Sequence, residues 1–243
     1  TLKLLNLAIE QSKSHGTTVK FFFPSSIAVY GLDGIKNKTN AGCINENQFC
    51  YPQTMYGCNK LSCEQLGRYY SLYFNRLTSE FLPNLIDFRS IRFPGLISAF
   101  TLPTGGTTDY APEMLHAAAK NIPYTCFVSE NTKLPFMLMI DAIDAIIQLM
   151  ESQKKDLSKM VYNISSFSAS ALDFKKIISD NFSNSSIQFK TDNKKQFMVD
   201  SWPEDVDTQS AKNDWNYHAK YNFLQSFEDY LIPEIRKQYE QSN

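Results

Sequence analysis

The run Val19-Lys-Phe-Phe-Phe23 narrows the folds open to this chain more than any other stretch. Its nearly continuous apolar and aromatic character suits a strand buried on both faces, as in a parallel sheet covered by helices on each side. Ahead of it, Leu2 to His15 reads as a helix, with Leu4, Leu5, Ala8 and Ile9 on one face and Gly16 as its stop. The chain therefore begins inside an alternation of helices and strands. The expected class is α/β, built on a mainly parallel sheet.

Later segments keep that rhythm. Leu32 to Gln53 reads as a polar loop, and Gly31 and Gly34 around its start read as turn chemistry. Met55 to about Phe74 reads as a long helix with Leu61, Leu66, Tyr69, Tyr70 and Tyr73 on its apolar side, and residues 75–85 as an insertion. Leu85 to Phe93 alternates like a strand and is stopped by Pro94-Gly95. Pro103-Thr-Gly-Gly-Thr-Thr-Asp-Tyr110 precedes a helix from about Ala111 to Lys120. The turn can hold a carboxylate by its amides and the helix dipole, or Thr107 or Asp109 can simply cap the helix. Leu134 to Ile140 reads as a strand, with Asp141 capping a helix from Ala142 to Glu151. Beyond Met160, strands at Val161–Ile164 and Ile187–Phe189 alternate with helices at Ala171–Phe182 and Phe223–Tyr239. Val199-Asp-Ser-Trp-Pro203 reads as a polar-aromatic loop.

The chemistry concentrates at Tyr56-Gly-Cys-Asn-Lys60. A tyrosine and a lysine four apart on a helix share a face. A phenol beside an ammonium has its ionised form favoured, which makes a general base. The spacing alone is common in helices. Its setting adds weight: Ser26 stands at the carboxyl end of the Val19 strand, and residues 94–98 follow the next strand, where an open parallel sheet forms its ligand crevice.

Composition excludes several functions. A net charge of -1 leaves no footprint for nucleic acid or an acidic membrane surface. No apolar run approaches the ~20 residues that cross a bilayer. The five cysteines lack C-x-x-C spacing and there are three histidines, so no metal site is expected. The odd cysteine count in an otherwise ordinary composition points to reduced thiols and an intracellular protein.

The order of strand, serine, loop and Tyr-x-x-x-Lys helix resembles the extended short-chain dehydrogenase/reductase superfamily. Within it, several segments are similar to the short-chain type of L-threonine 3-dehydrogenase. They are Pro24-Ser25-Ser26, Thr54 to Lys60, Asp87 to Ser98, Pro103 to Tyr110, Leu134-Pro-Phe-Met137, Tyr162-Asn-Ile164, Asp200-Ser-Trp-Pro203 and Ser210 to Trp215. The resemblance implies a Rossmann-like doubly wound parallel sheet with a smaller C-terminal α/β substrate-binding portion. Residues 1–110 would be a partial NAD-binding domain. Residues 111–243 would be mainly substrate-binding, with 134–150 returning to the core. It implies NAD as cofactor, a small amino-acid substrate, a homodimer built on the Tyr-Lys helix and the helix before it, and a cytoplasmic protein (or a mitochondrial matrix one in a eukaryote). Carried over by motif, Tyr56 is the base, Lys60 holds the nicotinamide ribose, and Ser26 binds the reacting oxygen. Pro94, Leu96 and Ile97 meet the nicotinamide, while Gly106, Thr107 and Trp202 meet the substrate.

The chain departs from that pattern in places. Thr104, Lys195 and Asn216-Tyr217 stand where the family usually has Gly, Arg and Gly-Trp. No G-x-x-G-x-x-G turn for a pyrophosphate is present, so the first β-α units of the family are expected to be missing from this sequence. Two rivals follow: a nucleotide-sugar epimerase or dehydratase on the same fold, and a non-catalytic NAD-fold binding protein.

Overall fold

The computed structural model describes residues 1–79 and 81–240. Helix α1 (Leu2–His15) leads into β1 (Val19–Ser26), a 3-10 turn at Ile27–Val29, α2 (Gly34–Ala41), β2 (Cys43–Ile44), α3 (Met55–Leu72), β3 (Ile86–Phe93) and β4 (Gly95–Ile97). Then come α4 (Tyr110–Ala119), β5 (Tyr124–Cys126), β6 (Lys133–Leu138), α5 (Met139–Glu151), β7 (Val161–Asn163) and β8 (Phe167–Ser170). The rest is α6 (Ala171–Asn181), β9 (Ile187–Phe189), α7 (Asn193–Asp200), β10 (Asp205–Val206), α8 (Gln209–Trp215), α9 (Phe223–Gln225), a π-helical segment at Ser226–Leu231, and α10 (Ile232–Glu240).

The Val19 strand forms as expected and lies in a parallel sheet of order β1-β3-β7. One face is covered by α1 and α3, through Leu5, Ala8, Ile9 and Leu66 against Phe23, Ile86 and Phe88. The other is covered by α5 and α8, through Ala142, Ala145, Leu149 and Trp215 against Ile91, Phe93 and Tyr162. This is the doubly wound, Rossmann-like arrangement. β3 is buried at every position although its sequence alternates, because its charged residues are paired inside. The Arg89 guanidinium donates to Asp87 at 2.6 Å and to the Ser152 and Leu149 carbonyls at the end of α5. Unpaired, such groups would be expensive to bury.

β4, β6 and β8 form a second, mixed sheet, and small two-stranded pairs join β2 to β10 and β5 to β9. The 134–150 stretch is divided between the two layers: β6 belongs to this second sheet, while α5 lies against β3. The second sheet carries its own core, centred on Phe136, Tyr110, Phe174 and Phe227.

Several elements differ from expectation. The polar 32–53 stretch contains α2 and β2. α2 has no apolar stripe; the side chain it buries is Lys38, whose Nζ donates to the Val199 carbonyl at 3.1 Å. Asp141 is not a cap, since α5 already begins at Met139; its carboxylate accepts from the Ser166 hydroxyl. Short strands β4, β5, β8 and β10 went unforeseen, as two to four residues carry no readable period. The expected 75–85 insertion is a run of turns up to residue 79, with Glu80 outside the described residues.

Candidate active site

β1 and β3 end side by side, with Ser26 opposite Phe93 in the ladder. A cleft of about 540 Å³ opens at these carboxyl ends. Its lining includes Ser26, Tyr56, Lys60, Pro94, Leu96, Gly106, Thr107 and Trp202, eight of the nine residues expected at a site. Ile97 is the exception. Alternation along β4 turns Leu96 to the cleft and buries Ile97 in the core, so its expected contact with a nicotinamide is withdrawn.

Local chemistry explains how α3 delivers Tyr56 and Lys60. Thr54 caps the helix, its hydroxyl accepting from the Gly57 amide at 2.9 Å. Gly57 then lets the helix start press onto the 27–29 turn: a Cβ there would lie 2.0 Å from the Ala28 carbonyl oxygen and 2.8 Å from Pro52 Cβ. The next turn of α3 brings Lys60 Nζ within 2.5 Å of the Pro24 carbonyl oxygen and 5.4 Å of the Tyr56 ring centroid. Tyr56 itself is 55% exposed on the cleft.

The two serines of Pro-Ser-Ser have different surroundings. Ser25 is buried and donates its hydroxyl to Glu64. Ser26 Oγ accepts from the Ala28 amide at 3.2 Å, capping the 27–29 turn. That bond uses the oxygen as acceptor and leaves its proton available to another acceptor in the cleft. The two tyrosines nearby also differ. Burial pushes the Tyr30 hydroxyl up from the usual phenol range, and it donates to Asn163 at 2.7 Å. That suits a structural group better than a base.

Across the cleft, the Gly-Gly-Thr-Thr-Asp turn is organised by its own aspartate. Asp109 Oδ2 accepts from the amides of Thr104 at 3.0 Å and Gly106 at 2.8 Å. Those two amides are thus already engaged, and α4 starts at Tyr110 with no side-chain cap. The reading of a side-chain cap by Thr107 or Asp109 gives way to this internal loop. Thr107 and Thr108 remain at the cleft wall. Trp202 is 7% exposed and packs into the second core, yet its indole Nε1 has no hydrogen-bond partner among the described residues.

Phe93, Met198, Ile27 and Thr108 also line the cleft and were not foreseen. Phe93 and Ile27 adjoin motif residues and could have been found by adjacency; Met198 arrives from α7 and could not. Among the described residues, Lys60 is the one cation in the lining and Asp109 the one carboxylate. No group of three or more His, Cys, Asp or Glu side chains able to hold a metal occurs among the described residues. Nor is any described helix long and apolar enough to cross a membrane.

Residues 1–165 match the NAD dependent epimerase/dehydratase family. An uncharacterized epimerase/dehydratase of Staphylococcus haemolyticus (strain JCSC1435) is 36% identical over 216 residues, covering 88% of this chain and 63% of that protein. The mitochondrial L-threonine 3-dehydrogenase of Bos taurus is 32% identical over 219 residues, covering 90% of this chain and 54% of its own length. A GalE-like L-threonine dehydrogenase from Cupriavidus necator, in its apo form, superposes with a TM-score of 0.81 at 34% identity, over 96% of this chain and 78% of that one. The chain thus spans less than two thirds of the length of either of these two sequence relatives.

Proposed function

The chain belongs to the NAD dependent epimerase/dehydratase family, and from that premise we propose that it carries the reaction centre of an NAD-dependent dehydrogenase that oxidises the β-hydroxyl of L-threonine to 2-amino-3-ketobutyrate. One observation supports this reading above the rest. Ser26, Tyr56 and Lys60 share a single cleft with Gly106, Thr107 and Trp202, from segments far apart in the chain. The family set of acid-base residues and the segments that resemble threonine dehydrogenase thus face one space.

In this mechanism Tyr56 takes the hydroxyl proton as general base. The Ser26 hydroxyl donates to the same oxygen and stabilises the charge that develops there. Lys60 holds its ammonium 5.4 Å from the Tyr56 ring centroid, where its charge acts on the phenol that exchanges the proton. Thr107 and Trp202 hold the amino acid. The residues present fit the nicotinamide end of NAD: Pro94 and Leu96 offer an apolar shelf, and Lys60 offers a donor for ribose hydroxyls. NAD, when bound, supplies the hydride acceptor. Lys60 as the one cation of the lining among the described residues disfavours a grip on a nucleotide diphosphate: Lys194, Lys195 and Arg236 are not in that lining, Lys195 lying over the Phe127 ring and Arg236 donating to the Asn181 carbonyl. We further propose a homodimer through α1 and α3.

Tyr56→Phe tests the reading. Threonine-dependent NADH formation should fall by at least about 100-fold, the usual worth of a general base. Folding should be preserved, since the side chain is half exposed and its hydroxyl makes no hydrogen bond among the described residues. Near-normal turnover in that variant, or no threonine-dependent turnover in the native protein, rejects the proposal.

A further inference from the structure

Behind the cleft lies a buried polar network that the proposed mechanism does not use. Its hub is Glu64, on α3 one turn beyond Lys60 and 2% exposed. Glu64 Oε1 accepts from the Ser25 hydroxyl and from Arg92 Nε at 2.9 Å, and Oε2 accepts from the Arg92 guanidinium at 2.7 Å. Ser25 and Arg92 are direct neighbours across the β1–β3 ladder. The guanidinium also donates to the Tyr30 hydroxyl at 2.9 Å and to the Glu46 carbonyl at 2.7 Å. Glu46 in turn pairs with Lys159 at 2.6 Å.

The arrangement has a specific consequence. Successive turns of α3 grip successive residues of β1, with Lys60 on the Pro24 carbonyl and Glu64 on the Ser25 side chain. Arg92 grips Tyr30 on the far side of the 27–29 turn. Ser26 thus sits in a short segment fastened at both ends to the helix that carries Tyr56. Fixing the backbone on both sides holds the Ser26 hydroxyl and the Tyr56 phenol at one separation, and rates are sensitive to such placement.

We propose that Glu64 is a positioning residue of the cleft, which holds Ser26 in register with Tyr56 through the Ser25 hydroxyl and Arg92. The proposal rests on the dehydrogenase reading for its effect on rate, but its effect on backbone order does not depend on it. Glu64→Gln is a poor probe, because it strips the charge facing a buried guanidinium and endangers the fold. Ser25→Ala is cleaner: it removes the tether and leaves the Glu64–Arg92 pair intact.

Two readouts decide the matter. Hydrogen exchange over residues 24–31 should quicken about tenfold in Ser25→Ala, with peptides from β6 and β8 unchanged. In turnover of threonine, kcat should fall about tenfold with KM within about twofold, as expected when geometry and not binding is disturbed. The same change made on top of Ser26→Ala should cost nothing further, since the group being positioned is gone. A role in general stability alone would quicken exchange throughout and lower kcat equally in both backgrounds. That result overturns the proposal, as does unchanged exchange over 24–31. If Ser26→Ala and Tyr56→Phe leave turnover intact, the dehydrogenase reading falls instead, and exchange still decides whether the tether orders the segment.

Discussion

At the scale of single residues, the site depends on a contact that no motif announces. The Tyr56–Lys60 spacing is legible because a helix repeats every ~3.6 residues, and it carries through to the Lys60 ammonium above the Tyr56 ring. The glycine between them is not legible in that way. Gly57 matters because the Ala28 carbonyl, contributed by a distant turn, occupies the space a Cβ would fill. Gly57→Ala therefore pushes against backbone rather than against a side chain that can swing aside. The expected cost is about 1–3 kcal/mol, read as a fall in thermal midpoint of roughly 5 °C. Turnover should fall as well, because the helix start and the Ser26 turn must separate. Gly67 offers the internal control: its Cβ would meet the Phe88 ring, about three helical turns along α3 from Tyr56. Gly67→Ala should lower stability without a matching loss of kcat per folded molecule. Loss of activity in Gly67→Ala and not in Gly57→Ala would reverse this account.

Among elements, those with a clear period were readable and those without were not. α1, α3, β1 and β3 follow from apolar spacing or from an unbroken apolar run, and all four form. α2 was hidden because its buried side chain is a lysine, and hydrophobic periodicity gives a lysine no inward direction. Lys38 makes α2 testable. It is 1% exposed, and burial lowers its pKa from 10.5 to about 8, against the pull of Asp200 and Glu204 the other way. Below pH 8 the ammonium is charged in both folded and unfolded chains, and the folded chain carries the full cost of burying it. Between pH 8 and 10.5 the unfolded chain binds a proton that the folded chain does not, so stability from this group rises with pH. Above 10.5 the difference is complete, on the order of 3 kcal/mol. Lys38→Met keeps the buried stem and removes the charge. In denaturant titrations at pH 7, 9 and 10.5, the variant should gain most over the native chain at pH 7 and lose that advantage as pH rises. Parallel stability curves for the two proteins would show that Lys38 does not titrate inside the fold.

For the molecule as a whole, the cleft forms where the parallel sheet ends and the second, mixed sheet begins, so its walls come from both layers. The first wall was legible, because strand order and motif place Ser26, Tyr56 and Pro94 at strand and helix ends. The second was legible only through resemblance in Gly106, Thr107 and Trp202; nothing in composition or spacing brings residues so distant to one cleft. Surface chemistry is likewise a property of the assembled fold. α1 and α3 lie side by side, joined by the Tyr70 hydroxyl donating to Asn6 at 2.7 Å. Their outer faces leave Leu2, Leu4 and Leu7, and Tyr69 and Leu72, each between 41% and 58% exposed. Several exposed apolar side chains on two adjacent helices are costly to leave in water and suit association. A two-fold partner would bury the same patch on both copies, as closed symmetric dimers do. Sedimentation velocity at micromolar concentration should accordingly give twice the chain mass. The pair Leu4→Glu and Leu7→Glu should shift it to the monomer, since a dimer would then bury unpaired carboxylates. Circular dichroism should stay unchanged, because both side chains already face solvent in the single chain. A native protein that sediments as a monomer, or a dimer that survives both glutamates, would place the contact elsewhere or remove it.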